Sequence, residues 1–381
     1  MTEESLIVIG SGPAGLSAAR AYREAGGAGR VRILSADPAP PYKRPPLSKD
    51  FLRGESDEAD LALDGPGEDV DLVLGDPVVA LGTHEVRTGS GAAHEFTKCV
   101  LATGAEPLRP PVPGADHPDV RCLRSLHSSR ELRAAAAGAR SAVVVGAGFI
   151  GCEAAVSLSR LGLQVTVLCP DSVPQEPRLG RSAGELILHW LKAEGVSVLR
   201  DTRLEAVTGG HRIHTELTPA LDTDLVLLAT GVRPRVELAA HARLALEHGR
   251  VRTDDHLRTS RPDVYAAGDV AFAHNPSAGR SLAVEHWGEA LAMGEVAGRS
   301  AAGTDASWDA VPGFWSEIGD QVLKYAAWGD GYDHAHPVSH DGGFTVWYER
   351  GAELVGVLTH GADEDYERGR ALIRDHRPVP A

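Results

Sequence analysis

Apolar and polar positions fall along the chain in blocks that predict a repeated strand–turn–helix–strand unit. Residues 6–9 form a short apolar run, a glycine-rich turn follows at 10–15, and 16–25 carry a helix-compatible pattern. A second apolar run at 31–34 stops shortly before Asp37. The same order returns about 135 residues later, with a strand at 141–145, a turn at 146–151, a helix at 152–161 and a strand at 164–168. Each copy is followed by an apolar strand closing on Ala-Thr-Gly, at 100–104 and 225–231, and then by a proline-containing exit. Another strand ends in Gly268-Asp269 ahead of a helical stretch at 284–297. From residue 305 onward the pattern changes. Phe314, Trp315, Trp328, Phe344 and Trp347 gather there, runs at 344–347 and 354–358 predict antiparallel strands around a turn at 349–352, and 366–374 predicts a closing helix.

Composition narrows the class. The chain has 381 residues, enough for two or three domains, with 43% hydrophobic and 24% charged residues, as in ordinary globular proteins. No apolar run approaches the roughly 20 residues that cross a bilayer. The acidic stretch Met1-Thr2-Glu3-Glu4-Ser5 leads straight into a strand, unlike a secretory leader, so a cytoplasmic location is expected, with no membrane partner. The four cysteines, Cys99, Cys122, Cys152 and Cys169, include no Cys-x-x-Cys pair, which argues against a disulfide framework or a structural zinc. A formal net charge of −15 argues against a nucleic-acid surface.

The two glycine turns carry the chemistry. A strand feeding a helix through glycines leaves main-chain N–H groups pointing out of the helix N-terminus, where the helix dipole favours a pyrophosphate. Gly10 permits the turn, Gly12 admits the pyrophosphate, and Gly15 lets helix and strand pack; Ala14 lies within the same turn. Asp37 stands 22 residues beyond Gly15, where a carboxylate accepts from ribose hydroxyls. Gly146, Gly148, Phe149, Ile150 and Gly151 form the second turn, with Gly231 closing the later strand. Two dinucleotide sites in one chain imply electron transfer between dinucleotides, and a flavin with a nicotinamide is the economical pairing.

The motif order resembles the pyridine-nucleotide flavoprotein reductases of the glutathione-reductase superfamily. The stretch Pro41-Tyr42-Lys43-Arg44-Pro45-Pro46-Leu47-Ser48-Lys49 is more specific. It resembles the oxygenase-coupled ferredoxin reductases, of the putidaredoxin reductase and biphenyl dioxygenase reductase type, and the related apoptosis-inducing factor. The likeness continues through 146–153, 265–269, Glu285-His286-Trp287 and Phe314-Trp315-Ser316, covering nearly the whole chain. It implies an α/β fold with two Rossmann-like domains and a small α+β C-terminal domain. The expected division is FAD binding at 1–110 and 239–304, NAD(P)H binding at 111–238, and an interface domain at 305–381.

The resemblance also implies roles. Lys49 and Glu153 correspond to a pair meeting beside the flavin, with the lysine favouring its reduced form. Asp269, after Gly268, corresponds to a carboxylate on the ribityl chain. Arg44, Val78, Thr103, Gly104 and Arg124 correspond to further FAD contacts. Trp287 and Trp315 correspond to residues near the isoalloxazine, His286 belongs to the same FAD and flavin region, and Glu285, also of that region, stands where related reductases approach the nicotinamide. The partner implied is a [2Fe–2S] ferredoxin serving a cytochrome P450 or a Rieske oxygenase. An NADH oxidase, a quinone reductase and a redox sensor remain alternatives, and monomer and dimer both stay open. Residues 38–49 contain no cysteine, so the thiol relay of the disulfide reductases has no place there.

Some features stand apart. Cys169 occupies the second ribose position, where NADH users of the family usually carry a carboxylate. Asp171 is a substitute acid, whereas Arg178 or Arg181 would suit the 2′-phosphate of NADPH; the balance favours NADH, with NADPH left open. His334, His336 and His340 read as a solvated loop rather than a metal site. Lys43 with Arg44, or Arg368, Arg370, Arg374 and Arg377, are the basic groups available to an acidic partner.

Overall fold

A computed structural model describes residues 4–380. They divide into two compact units: 4–42 with 62–106 and 234–314, and 43–61 with 107–233 and 315–380.

The first unit is built on a parallel sheet in the order Val264–Ala266, Lys98–Leu101, Ser5–Ile9, Arg30–Leu34, Val70–Val73. Central strands buried on both faces read as continuous apolar runs, and Leu6 to Ile9 are all buried. Helix Pro13–Glu24 begins three residues before its predicted start, because Gly12 already serves as its N-cap. It packs backbone to backbone on helix Trp287–Ala301. A Cβ on Gly294 would lie 2.2 Å from the Ala14 carbonyl oxygen, and one on Gly298 would lie 2.2 Å from that of Ala18. A four-stranded sheet, Leu246–Glu247, Arg250–Thr253, Ala271–Asn275, Arg280–Ala283, completes the part that bears on the site.

The second unit repeats the arrangement with a parallel sheet in the order Ser197–Leu199, Gln164–Leu168, Ser141–Val145, Leu225–Leu228, Val120–Cys122. Helix Phe149–Arg160 again starts three residues early, with Gly148 as N-cap. The C-terminal residues form an antiparallel sheet in the order Gly313–Ile318, Gln321–Ala327, Glu353–His360, Gly343–Arg350, His334–His340, backed by helix Asp363–Arg374.

One expectation is corrected here. His334, His336 and His340 lie on a strand, not in a loop. The strand is an edge: it pairs only with Gly343–Arg350, through the two-residue turn Asp341-Gly342. Its exposure on both faces removes the alternation that betrays a strand, and Pro337 is tolerated because it sits on an edge. His336 Nε2 lies 2.7 Å from Glu349, and His340 Nε2 lies 2.9 Å from Thr345 Oγ1.

Candidate functional site

In the first unit, Gly10 takes φ +113°, and a Cβ there would lie 2.2 Å from the Ala102 carbonyl oxygen. A Cβ on Gly15 would lie 1.9 Å from the carbonyl oxygen of Gly10. Only glycine fits either position. Gly12 caps the helix in an extended conformation without any side-chain cap, and Pro13 holds the first helical position. The first-turn N–H groups, those of Ala14 and Gly15 included, therefore face outward without an intrahelical acceptor. Asp37 Oδ1 accepts from the Ala39 N–H at 3.0 Å and Oδ2 from the Tyr42 hydroxyl at 2.8 Å, which orients the carboxylate. Thr103 donates to the Arg235 carbonyl at 2.8 Å, and Gly104, at φ +67°, accepts from the Arg235 N–H at 2.9 Å. Val78 opens the strand Val78–Leu81.

Gly268, at φ +75°, begins a short 3-10 turn, Gly268–Val270; a Cβ there would lie 3.1 Å from that of Ala14. The helix packing thus brings the Gly268-Asp269 turn beside the first glycine turn. Asp269 is buried. His286 is the N-cap of helix Trp287–Ala301, with its ring 4.5 Å from that of Phe314, and Trp287 is half-buried. Glu285 is paired with Arg250, which also donates to the Asp269 carbonyl; Arg250 gave no sign of this in the sequence.

In the second unit the glycine geometry recurs. Gly146 takes φ +106°, with a Cβ position 2.5 Å from the Ala229 carbonyl oxygen, and Gly151 would clash with the Gly146 oxygen at 2.1 Å. Gly148 is open, with its nearest neighbour, Gln175 Nε2, 3.8 Å from a Cβ position. Phe149 and Ile150 form the first turn, Ile150 being exposed, and Gly231 at φ +99° has open space about it. Cys169, expected at the ribose, is fully buried, and burial pushes its thiol up to about 11. Glu176 accepts from the Ser172 hydroxyl at 2.5 Å, a bond that holds its carboxyl below the usual range.

Lys49 and Glu153 meet. Lys49 Nζ lies 3.1 Å from Glu153 Oε2, with both side chains less than 10% exposed. Lys49 ends the 3-10 turn Pro45–Ser48, which Arg44 caps, and Glu153 sits on the helix that begins at the second glycine turn. The same ammonium donates to the Pro45 carbonyl at 2.9 Å and lies 4.8 Å from the centre of the Trp315 ring. Sequence reasoning missed two groups. The Ser48 hydroxyl donates to Glu153 Oε2 at 2.5 Å, and that of Ser316 donates to Oε1 at 2.7 Å. Both serines stand inside the quoted motifs, but nothing in a motif says which way a hydroxyl points. With these donors the buried carboxylate has the hydrogen bonds that a charge in a low-dielectric site requires. Arg124 precedes helix Leu126–Gly138, its N–H donating to Ser128 Oγ at 3.0 Å.

A family model described as pyridine nucleotide-disulphide oxidoreductase matches residues 4–294. The chain belongs to that family. Rhodocoxin reductase of Rhodococcus erythropolis is 31% identical, over 98% of this chain and 90% of the relative. Rubredoxin-NAD(+) reductase of Ectopseudomonas oleovorans is 32% identical, over 84% of this chain and 86% of its own length. Among solved structures, a covalent putidaredoxin reductase–putidaredoxin complex aligns with a TM-score of 0.92 at 26% identity, covering 99% of this chain and 94% of that one. This pyridine nucleotide-disulphide oxidoreductase has the α/β fold with Rossmann-like sheets, and it is an oxidoreductase of FAD and a nicotinamide nucleotide. The residues fit those groups: two helix N-termini carry no side-chain cap, and each is reached through glycines that no side chain could replace. All four cysteines are free, so the disulphide of the family's description has no counterpart here among the described residues.

Proposed function

We propose that the chain takes electrons from NADH through FAD and delivers them to a [2Fe–2S] ferredoxin that serves a cytochrome P450 or a Rieske oxygenase. The observation that carries this reading is the buried Lys49–Glu153 pair under Trp315, in a chain with no thiol at 38–49. FAD, when bound, accepts hydride from a nicotinamide and releases electrons singly. The protein supplies position and charge. Gly10, Gly12 and Gly15 with the uncapped helix hold the FAD pyrophosphate, Asp37 its ribose, and Asp269 its ribityl chain. Gly146 to Gly151 hold the nicotinamide nucleotide. Lys49 favours negative charge on the reduced flavin, and Glu153 keeps that ammonium in place. Asp171 is the acid available to the second ribose, and NADH is the expected donor. The docking domain is 305–381, and the cytoplasm is the expected location; no helix among the described residues is long and apolar enough to cross a membrane.

The test is anaerobic: NADH, the holoenzyme and a [2Fe–2S] ferredoxin are mixed while bleaching of the ferredoxin chromophore is followed. Rubredoxin, oxygen and a quinone serve as parallel acceptors. Ferredoxin reduction well above all three is expected. Prompt flavin reduction with several ferredoxins left oxidised would remove the acceptor assignment and leave the hydride half standing.

A further inference from the structure

Arg250 is the one buried arginine among the described residues, 8% exposed. It follows a two-residue hairpin turn in which His248 (φ +48°) and Gly249 (φ +70°) both take positive φ, so Glu247 and Arg250 pair directly. Its strand, Arg250–Thr253, pairs with Ala271–Asn275, which begins two residues after Asp269. Glu285 stands two residues past Arg280–Ala283, the neighbour of that second strand. The guanidinium spans both neighbours: Nη1 donates to the Asp269 carbonyl oxygen and Nη2 to the Glu285 carboxylate.

A buried guanidinium is costly unless it is paired, and a planar fork suits two fixed acceptors as an ammonium does not. Glu285 supplies the charge, while the Asp269 carbonyl ties that charge to a main-chain turn. We infer that Arg250 is a positioning residue of the first dinucleotide site, fixing the main chain that aims the Asp269 side chain and holding Glu285 paired. It acts through Asp269 and Glu285 rather than on the cofactor. The inference rests on the reading that Asp269 binds FAD.

The experiment measures FAD affinity of the apoprotein by quenching of flavin fluorescence, together with KM and kcat for NADH. Arg250→Met is expected to weaken FAD binding about tenfold or more, the scale of a lost charge-assisted hydrogen bond. Arg250→Lys keeps the charge but serves only one of the two acceptors, so its FAD affinity is expected to fall between those of the native protein and Arg250→Met. In FAD-saturated enzyme the KM for NADH should rise in Arg250→Met, because Glu285, which the resemblance sets at the approach of the nicotinamide, loses its partner. Unchanged FAD affinity in Arg250→Met overturns the inference. So does a lysine variant as impaired as the methionine one, because packing alone would then explain the loss. Should Arg250→Met not fold, Arg250→Lys and Glu285→Gln are compared, and native affinity in both overturns it. Asp269→Ala tests the underlying reading separately. If that variant binds FAD normally, the reading itself fails; if only the Arg250 variants do, the positioning role alone fails.

Discussion

Glu153 has its two carboxylate oxygens divided between distinct donors: Lys49 and Ser48 on Oε2, Ser316 on Oε1. Removing one partner of a buried ion pair typically costs about 3–5 kcal/mol, because the other charge stays buried. Lys49→Met should therefore lower thermal stability and lower the flavin midpoint potential, whereas Ser316→Ala should cost about 1 kcal/mol and leave the pair in place. Denaturant unfolding and a redox titration separate the two effects; a potential unmoved by Lys49→Met would remove its electrostatic role. The cysteines give a second prediction at this scale. Burial pushes Cys99 up to about 12 and Cys169 up to about 11 and raises Cys152 and Cys122 as well. At pH 7 all four stay protonated, and only half-buried Cys122 has access to solvent, so at most one thiol should react with a disulfide reagent before unfolding exposes four. Iodoacetamide treatment of the native protein should leave NADH oxidation intact. Inactivation in step with the labelling of one thiol would restore a thiol relay.

The two glycine turns could be read directly because each requirement is a steric one that only one residue type meets. Gly10 and Gly146 sit at φ +113° and +106° with carbonyls where a Cβ would go, so the sequence shows the geometry as glycine. Gly10→Ala should yield protein purified without flavin. Gly146→Ala should keep its flavin and raise the KM for NADH, as read from the flavin-to-protein absorbance ratio and steady-state kinetics. Loss of flavin from both variants would show that the two turns do not serve different nucleotides. Elsewhere the signal fades for identifiable reasons. The helices start three residues before the predicted positions because a glycine N-cap offers no side chain to mark them. The edge strand His334–His340 shows no alternation because neither face is buried. Lys49 and Glu153 lie more than a hundred residues apart, and no periodicity links them; only the resemblance did. Arg250 had no signal at all, since one acceptor is a main-chain carbonyl that any residue carries.

At the scale of the whole molecule, charge decides how an acidic partner approaches. The chain carries −15, and the basic groups that would offset it locally are interleaved with acids. Arg368, Arg370, Arg374 and Arg377 share their stretch with Asp363, Glu364, Asp365, Glu367 and Asp375, and Arg374 Nε is already 3.0 Å from Asp375. Lys43, Arg44, Lys49 and Arg53 likewise share theirs with Asp50, Glu55, Asp57, Glu58 and Asp60. Neither stretch makes a patch of one sign. Steering by such a surface is weak, and what remains at long range is repulsion, which salt screens beyond about 8–10 Å at physiological strength. The second-order rate constant for reducing an acidic ferredoxin should then stay level or rise as ionic strength increases from about 10 mM to about 150 mM, across the range in which the screening length shortens from about 30 Å to about 8 Å. Stopped-flow mixing of reduced enzyme with ferredoxin reads this directly. A steep fall instead would mean that a concentrated basic site governs encounter, and charge reversal at Arg368 and Arg370 should then abolish the salt dependence and locate that site on the C-terminal helix.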